Sequence, residues 1–124
     1  MSPRSGEFMD QARDRAILAR EALAAGHPEG SVSAAYYAML YAARAALSEN
    51  DEYARTHRGT WHLFHERYVA TDAFDQHLHA LAQQAQDARE KGDYEAIKPD
   101  RDEAEAIVAG AADFIAAVEH MLEK

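Results

Sequence analysis

Apolar positions along this chain recur at three- and four-residue spacing, and alternation of the kind a strand needs is nearly absent. Residues 1–6 carry no such pattern and read as a disordered tail, which leaves 7–124 as a single domain. Met9, Ala12, Ala16, Ala19 and Leu23 predict a first helix over about 7–25, closed by Gly26 and a His27-Pro28-Glu29-Gly30 turn. Ser31 or Ser33 is placed to cap a second helix, reaching about Ser48. Tyr36, Tyr37, Met39, Leu40, Tyr41 and Leu47 surround much of that helix, so it belongs at the centre. After a polar break at 50–56, Trp61, Phe64, Tyr68 and Val69 predict a short third helix, with Trp61 and Tyr68 read as exposed aromatics. Phe74, Leu78, Leu81, Ala85 and Ala88 form a heptad-like stripe, predicting a fourth helix from Thr71 or Asp72 to the stop Lys91-Gly92-Asp93-Tyr94. Asp100 with Glu103 resembles a capping box, and the last helix then presents Ala104, Ile107, Ala111, Phe114, Val118 and Met121 inward. The prediction is an all-α domain: an antiparallel up-and-down four-helix bundle with one additional short helix.

Composition supports that class. The chain holds 28 Ala and 8 Leu against 4 Val and 3 Thr, so residues that lose little entropy in a helix dominate those that favour strands. The absence of cysteine excludes a disulfide framework and thiolate metal sites. A formal net charge of −9, with acids in every segment, argues against broad nonspecific nucleic-acid binding and against DNA as a partner. It leaves room for a small arginine cluster in one cleft. Without an apolar leader or an eighteen-residue apolar run, the expectation is a cytoplasmic protein with no membrane association.

Two sets of residues bear on chemistry. Five of the seven histidines, His57, His62, His65, His77 and His79, are close in sequence, and His62, His65 and Glu66 share a helical face. No second helix offers a matching ligand pair, so neither a metal nor another cofactor is expected. The arginines are more informative. Arg44 sits in the densest apolar run, where an unpaired guanidinium is costly, so it either pairs with a carboxylate or opens into a polar cleft. Arg89 precedes Asp93-Tyr94 at a helix end, an arrangement that would fold Tyr94 back against the bundle.

The run from Ser33 to Leu47, the Thr56-His57-Arg58-Gly59 junction followed by Phe64 and Tyr68-Val69, and Arg89 with Asp93-Tyr94 together resemble the small stand-alone prokaryotic branch of the HEPN domain superfamily (higher eukaryotes and prokaryotes nucleotide-binding). The resemblance covers about residues 8–122. It implies a HEPN-like bundle that forms a homodimer, and a minimal nucleotidyltransferase as partner in a toxin–antitoxin-type system. It also implies nucleotide or RNA binding, and in many members metal-independent RNA cleavage by an Arg followed four to six residues later by His. Here Tyr94 stands where that His belongs, and its phenol is a poor base at neutral pH. Arg58 and Arg55 each precede a histidine, His65 and His62, with six residues between, and are set aside as coincidental. The expected site therefore has Arg89, Asp93 and Tyr94 as its floor, with Arg44, Tyr37 and His57 around them as anion-binding groups. The primary expectation is a binding component. The alternatives are a ribonuclease toxin with a diverged Arg-x4-Tyr site and a ligand-free helical scaffold.

Overall fold

A computed structural model describes residues 1–123. Five α-helices follow in order: α1 (Pro3–Ala24), α2 (Pro28–Glu49), α3 (His57–Phe64), α4 (Gln76–Glu95) and α5 (Arg101–Leu122). A π-helical turn over His65–Val69 extends α3, and no strand occurs among the described residues. The fold is the predicted all-α bundle of four long helices and a short one.

Its centre is α2, in which fourteen of 22 residues are buried, seven of them alanine. It packs against all four other helices, whereas α1 and α4 do not meet among the described residues. Side-chain contacts give the directions. Ser5 reaches Ala45 and Arg15 lies over Tyr37, so α1 and α2 are antiparallel. Arg13 bonds Glu119 and Arg101 bonds the Leu23 carbonyl, so α1 and α5 are antiparallel too. The helices α2 and α5 are thus the parallel diagonal of the bundle, and their small residues let them close on each other. Gly110 does the same for α4 and α5, because a Cβ there would run into the Leu81 side chain of α4. The opposite end of the core is aromatic: the Phe114 ring lies 4.7 Å from Phe74, 5.7 Å from Phe64 and 5.9 Å from Trp61.

The structure corrects several boundaries. The tail expected at 1–6 is helical from Pro3. Ser2 caps the first turn by accepting from the Ser5 N–H at 3.2 Å, Pro3 takes a position that needs no N–H, and the buried Ser5 hydroxyl donates to the Ala45 carbonyl at 2.8 Å. The second helix starts at Pro28, not at Ser31 or Ser33. Proline is pre-set for a first turn, and the Ser31 hydroxyl bonds back to the Pro28 carbonyl at 2.8 Å instead of capping. Helix α4 starts later than expected, capped by Asp75, whose carboxylate accepts from the His77 N–H at 2.7 Å. It also runs through Gly92, which faces Glu29 closely, and ends only at Ala96, left-handed at φ 54° with the Ile97 N–H closing on the Lys91 carbonyl at 3.1 Å. Trp61 is buried and Tyr68 half-buried, so neither is the exposed interface aromatic that was expected.

Two substitutions test this packing by urea denaturation. Phe114→Ala removes the hub of the aromatic end and should cost about 3–5 kcal/mol. Ala96→Gly relieves a left-handed alanine and should stabilise by about 1 kcal/mol, with binding properties unchanged.

Candidate functional site

The site grows from the junction Thr56-His57-Arg58-Gly59. The Thr56 hydroxyl caps α3 by accepting the Gly59 N–H at 2.9 Å, and a Cβ at Gly59 would sit 2.9 Å from that same hydroxyl. Only glycine allows this cap to close without displacement. The tight start fixes His57 at the mouth of α3, against α2, where its ring lies 5.7 Å from both Tyr36 and Tyr37.

Tyr36 is fully buried and organises the hydrogen bonds. Its hydroxyl lies 3.1 Å from Trp61 Nε1 and 3.1 Å from His57 Nδ1. An indole N–H can only donate, so the Tyr36 oxygen accepts from Trp61. No other acceptor for the Tyr36 hydroxyl exists among the described residues, so its hydrogen goes to His57 Nδ1. That assigns the remaining imidazole proton to Nε2. Burial, followed by the nearby charges of Arg89 and Arg44, holds the His57 pKa below its ordinary value, against a smaller opposing effect of Glu90. A neutral His57 in this tautomer offers an N–H donor at Nε2 and is poorly placed to act as a base.

Arg89 reaches the same place from α4. Its guanidinium lies 5.0 Å from the Tyr36 ring centre and 5.6 Å from that of Tyr37, and it bonds the Asp93 carboxylate at 2.9 Å. The Arg89 side chain is only 13% exposed while that of Asp93 is 49% exposed, so the cation is inside and its counter-ion at the rim. Arg89 Nε is buried without a partner, and so is Arg44 Nε. Arg44 pairs with no carboxylate among the described residues; its guanidinium lies over the Tyr53 ring at 5.9 Å. The structure thus gathers Arg89, Asp93, Tyr37 and His57, with Arg44 near enough to act on His57.

Tyr94 is the exception. It is 82% exposed and does not fold back on the bundle. Because α4 continues past Gly92, Asp93 falls one turn from Arg89 on the same face, and Tyr94 is rotated about 100° further round. Within one chain Tyr94 therefore does not share a floor with Arg89. Two residues that hold the site together, Tyr36 and Trp61, escaped the sequence reading; the alanines flanking Tyr36-Tyr37 were the available sign that one tyrosine of the pair is buried.

Beyond Trp61 lies an open groove of about 480 Å³, lined among others by Arg58, His62, His65, His79, Gln83 and Glu90. Arg58 and His65, six residues apart in between, do share this wall. His62 is paired with Glu66 at 3.1 Å. No group of three or more His, Asp or Glu side chains is placed to hold a metal ion among the described residues. The His79 ring lies 5.3 Å from that of His65, and burial first, then His65, keeps the His79 pKa low.

These shifts have a consequence for stability. His57 and His79 are both held below about 6.5, so the unfolded chain takes up protons before the folded one as pH falls. Their neutral forms support the fold fully above the ordinary histidine value, and that support is lost progressively below it. The urea midpoint should therefore decrease from about pH 7 to about pH 5.5, and replacing both histidines by Gln should flatten that slope.

No helix among the described residues is long and apolar enough to cross a membrane. Against known families, residues 5–121 match the HEPN domain. A curated relative, the UPF0332 protein glr0978 of Gloeobacter violaceus (strain ATCC 29082 / PCC 7421), is 32% identical over 121 residues, spanning 93% of this chain and 93% of its own. The Thr56-to-Gly59 cap, the tyrosine pair of α2 and the Arg89–Asp93 clasp all lie within the matched span, and the chain belongs to the HEPN domain family.

Proposed function

We propose that the Arg89–His57 cleft binds a phosphate group of a nucleotide or RNA, as part of a homodimeric HEPN protein working with a minimal nucleotidyltransferase in a toxin–antitoxin-type pair. The observation that carries the binding is the posture of Arg89. A largely buried guanidinium, stacked on two tyrosine rings and clasped by one carboxylate, keeps further N–H donors for a second anion. His57, neutral and protonated at Nε2, adds a donor without adding charge. Membership of the family is what supports the partner and the dimer in this reading, and the cytoplasm is the compartment where such a pair would act.

Binding is favoured over cleavage for two reasons. Tyr94 stands away from Arg89, so the Arg-x4-Tyr alternative lacks its second member within the chain. His57 has the wrong tautomer to take a proton from a 2′-hydroxyl.

Titration with uridine 5′-monophosphate and with oligouridylate tests this reading. Arg89→Ala should weaken binding by roughly 1–3 kcal/mol, the range for losing a charge-assisted hydrogen bond. Tyr94→Phe should leave binding unchanged, and neither the wild type nor Tyr94→Phe should cleave the oligomer. Cleavage abolished by Tyr94→Phe would establish the ribonuclease alternative, and wild-type binding by Arg89→Ala would remove the cleft assignment.

A further inference from the structure

The Arg89–Tyr37 contact is one end of a longer feature. On α1, Arg15 lies over both Tyr37 and Tyr41, at 5.7 Å and 5.5 Å. Tyr41 is stacked on Phe8 of α1 with centroids 6.3 Å apart and planes at 22°. Arg4 lies 6.0 Å from Phe8 and 5.3 Å from Tyr53, the latter being the ring that Arg44 also covers. Rings and guanidinium groups thus follow one another in contact from Arg89 to Tyr53, with Tyr41 and Phe8 stacked ring on ring midway. The stripe exists because antiparallel α1 and α2 each bring residues to one face at helical spacing, Arg4, Phe8 and Arg15 on one and Tyr37, Tyr41 and Arg44 on the other. From Arg4 to Arg15 it runs about 16 Å at the helical rise.

The cations of the stripe are set apart by the rings they cover. The chain as a whole carries −9, and Arg4, Arg15 and Arg44 have no carboxylate within ion-pair distance among the described residues; Arg20, Arg55 and Arg58 have none either, but only the arginines of the stripe lie over aromatic rings among the described residues. Phe8, Tyr37 and Tyr41 remain partly exposed, and Tyr53 is half exposed. The occupant of such a surface must offer flat apolar faces and negative charge at short intervals. An unpaired polynucleotide does both, with bases that stack on rings or guanidinium planes and phosphates that pair with arginine. A duplex does not, because its bases are already stacked. A second copy of the chain fits poorly: a two-fold axis through the stripe would set the same four arginines against themselves.

We propose that the stripe is a track for an unpaired polynucleotide strand, which leads one of its phosphates into the Arg89 cleft. This rests on the phosphate-binding reading of that cleft and extends it from a single phosphate to a strand. Arg89 anchors one phosphate; Arg15 and Arg4 meet others; Phe8, Tyr41 and Tyr53 supply the stacking surfaces.

Fluorescence anisotropy with the full-length protein tests the track, using oligouridylate and oligothymidylate of about eight nucleotides, a duplex of equal length, and uridine 5′-monophosphate. A single strand should bind more tightly than the mononucleotide and than the duplex; a preference between the two strands identifies the sugar that the track accepts. Arg15→Gln should weaken strand binding about tenfold and lower the steepness of the log–log salt dependence by about 0.7. Phe8→Leu, which keeps an apolar side chain at the position, should weaken it about fivefold or more. Neither change should alter mononucleotide binding. Should Phe8→Leu destabilise the fold, the double variant Arg4→Gln with Arg15→Gln, both at solvent-accessible positions, carries the same test. If the mononucleotide binds through Arg89 but strands gain nothing from Arg15 and Phe8, the track is wrong and the cleft stands. If no probe binds, both fall. If these variants instead dissolve a dimer in sedimentation while strand binding is unchanged, the stripe is a self-association surface and the proposal is overturned.

Discussion

Everything in this fold depends on α2 being enclosed. A helix with neighbours on nearly every side has to be thin, and alanine makes it so: Ala35, Ala38, Ala42, Ala43, Ala45 and Ala46 are wholly buried. Thin contacts let α5 close across the diagonal and displace α1 and α4 to the flanks. Dispersion then acts over many short contacts instead of a few large side chains. The bulk that the alanines omit is supplied at one end by the aromatic cluster around Phe114. Because α1 and α4 do not meet among the described residues, α2 keeps part of its length open between them, and Tyr37, Tyr41 and Arg44 emerge there.

That geometry explains why a charged group is tolerated in the cleft. Removing a guanidinium from water is expensive unless something replaces its hydration. Arg89 has the Asp93 carboxylate on one side and two π-faces on the other, an arrangement in which cation–π attraction grows as water is excluded. The same tyrosine links the cleft to the core. Trp61 donates to Tyr36 and Tyr36 to His57, so the aromatic end of the bundle fixes the imidazole orientation at the site. A mutation that loosens Trp61 would reach His57 without touching it.

Much of this was legible in the sequence, for reasons that differ by element. The last helix is read correctly from Asp100 onward because its cap is local: the carboxylate accepts from the Glu103 N–H at 2.7 Å, and no distant contact competes. Gly92 misleads because it looks like a stop, whereas its lack of a side chain serves the approach of Glu29 from α2, a contact no local pattern can reveal. The first six residues mislead in the opposite sense, being polar yet tied down by Ser5 to Ala45 and by the Ser2 N–H to the Glu49 carboxylate at 2.9 Å. In the site, Arg89, Asp93, Tyr37 and His57 were legible because each lies in a short run with a recognisable pattern. Tyr94 was misplaced along with the helix end, since its direction depends on one additional turn of α4. The α1 arginines were invisible as a group, because Arg4 and Arg15 acquire their neighbours only when α1 folds back on α2.

The net charge and the arginine stripe pull in opposite directions, and distance decides between them. At physiological ionic strength, exposed charges interact over about 8 Å, so acid farther off than that is screened from anything resting on the stripe. What a bound anion feels is the nearest guanidinium groups, and these are held in place by the rings they cover. Rings and cations therefore do more together than separately: the rings fix the arginines and offer stacking surface, while the arginines keep water and charge beside rings that would otherwise be an exposed apolar patch. A surface of that kind has little long-range pull and strong short-range demands. It discriminates by contact geometry, as an acidic protein must if it is to hold one anion among many.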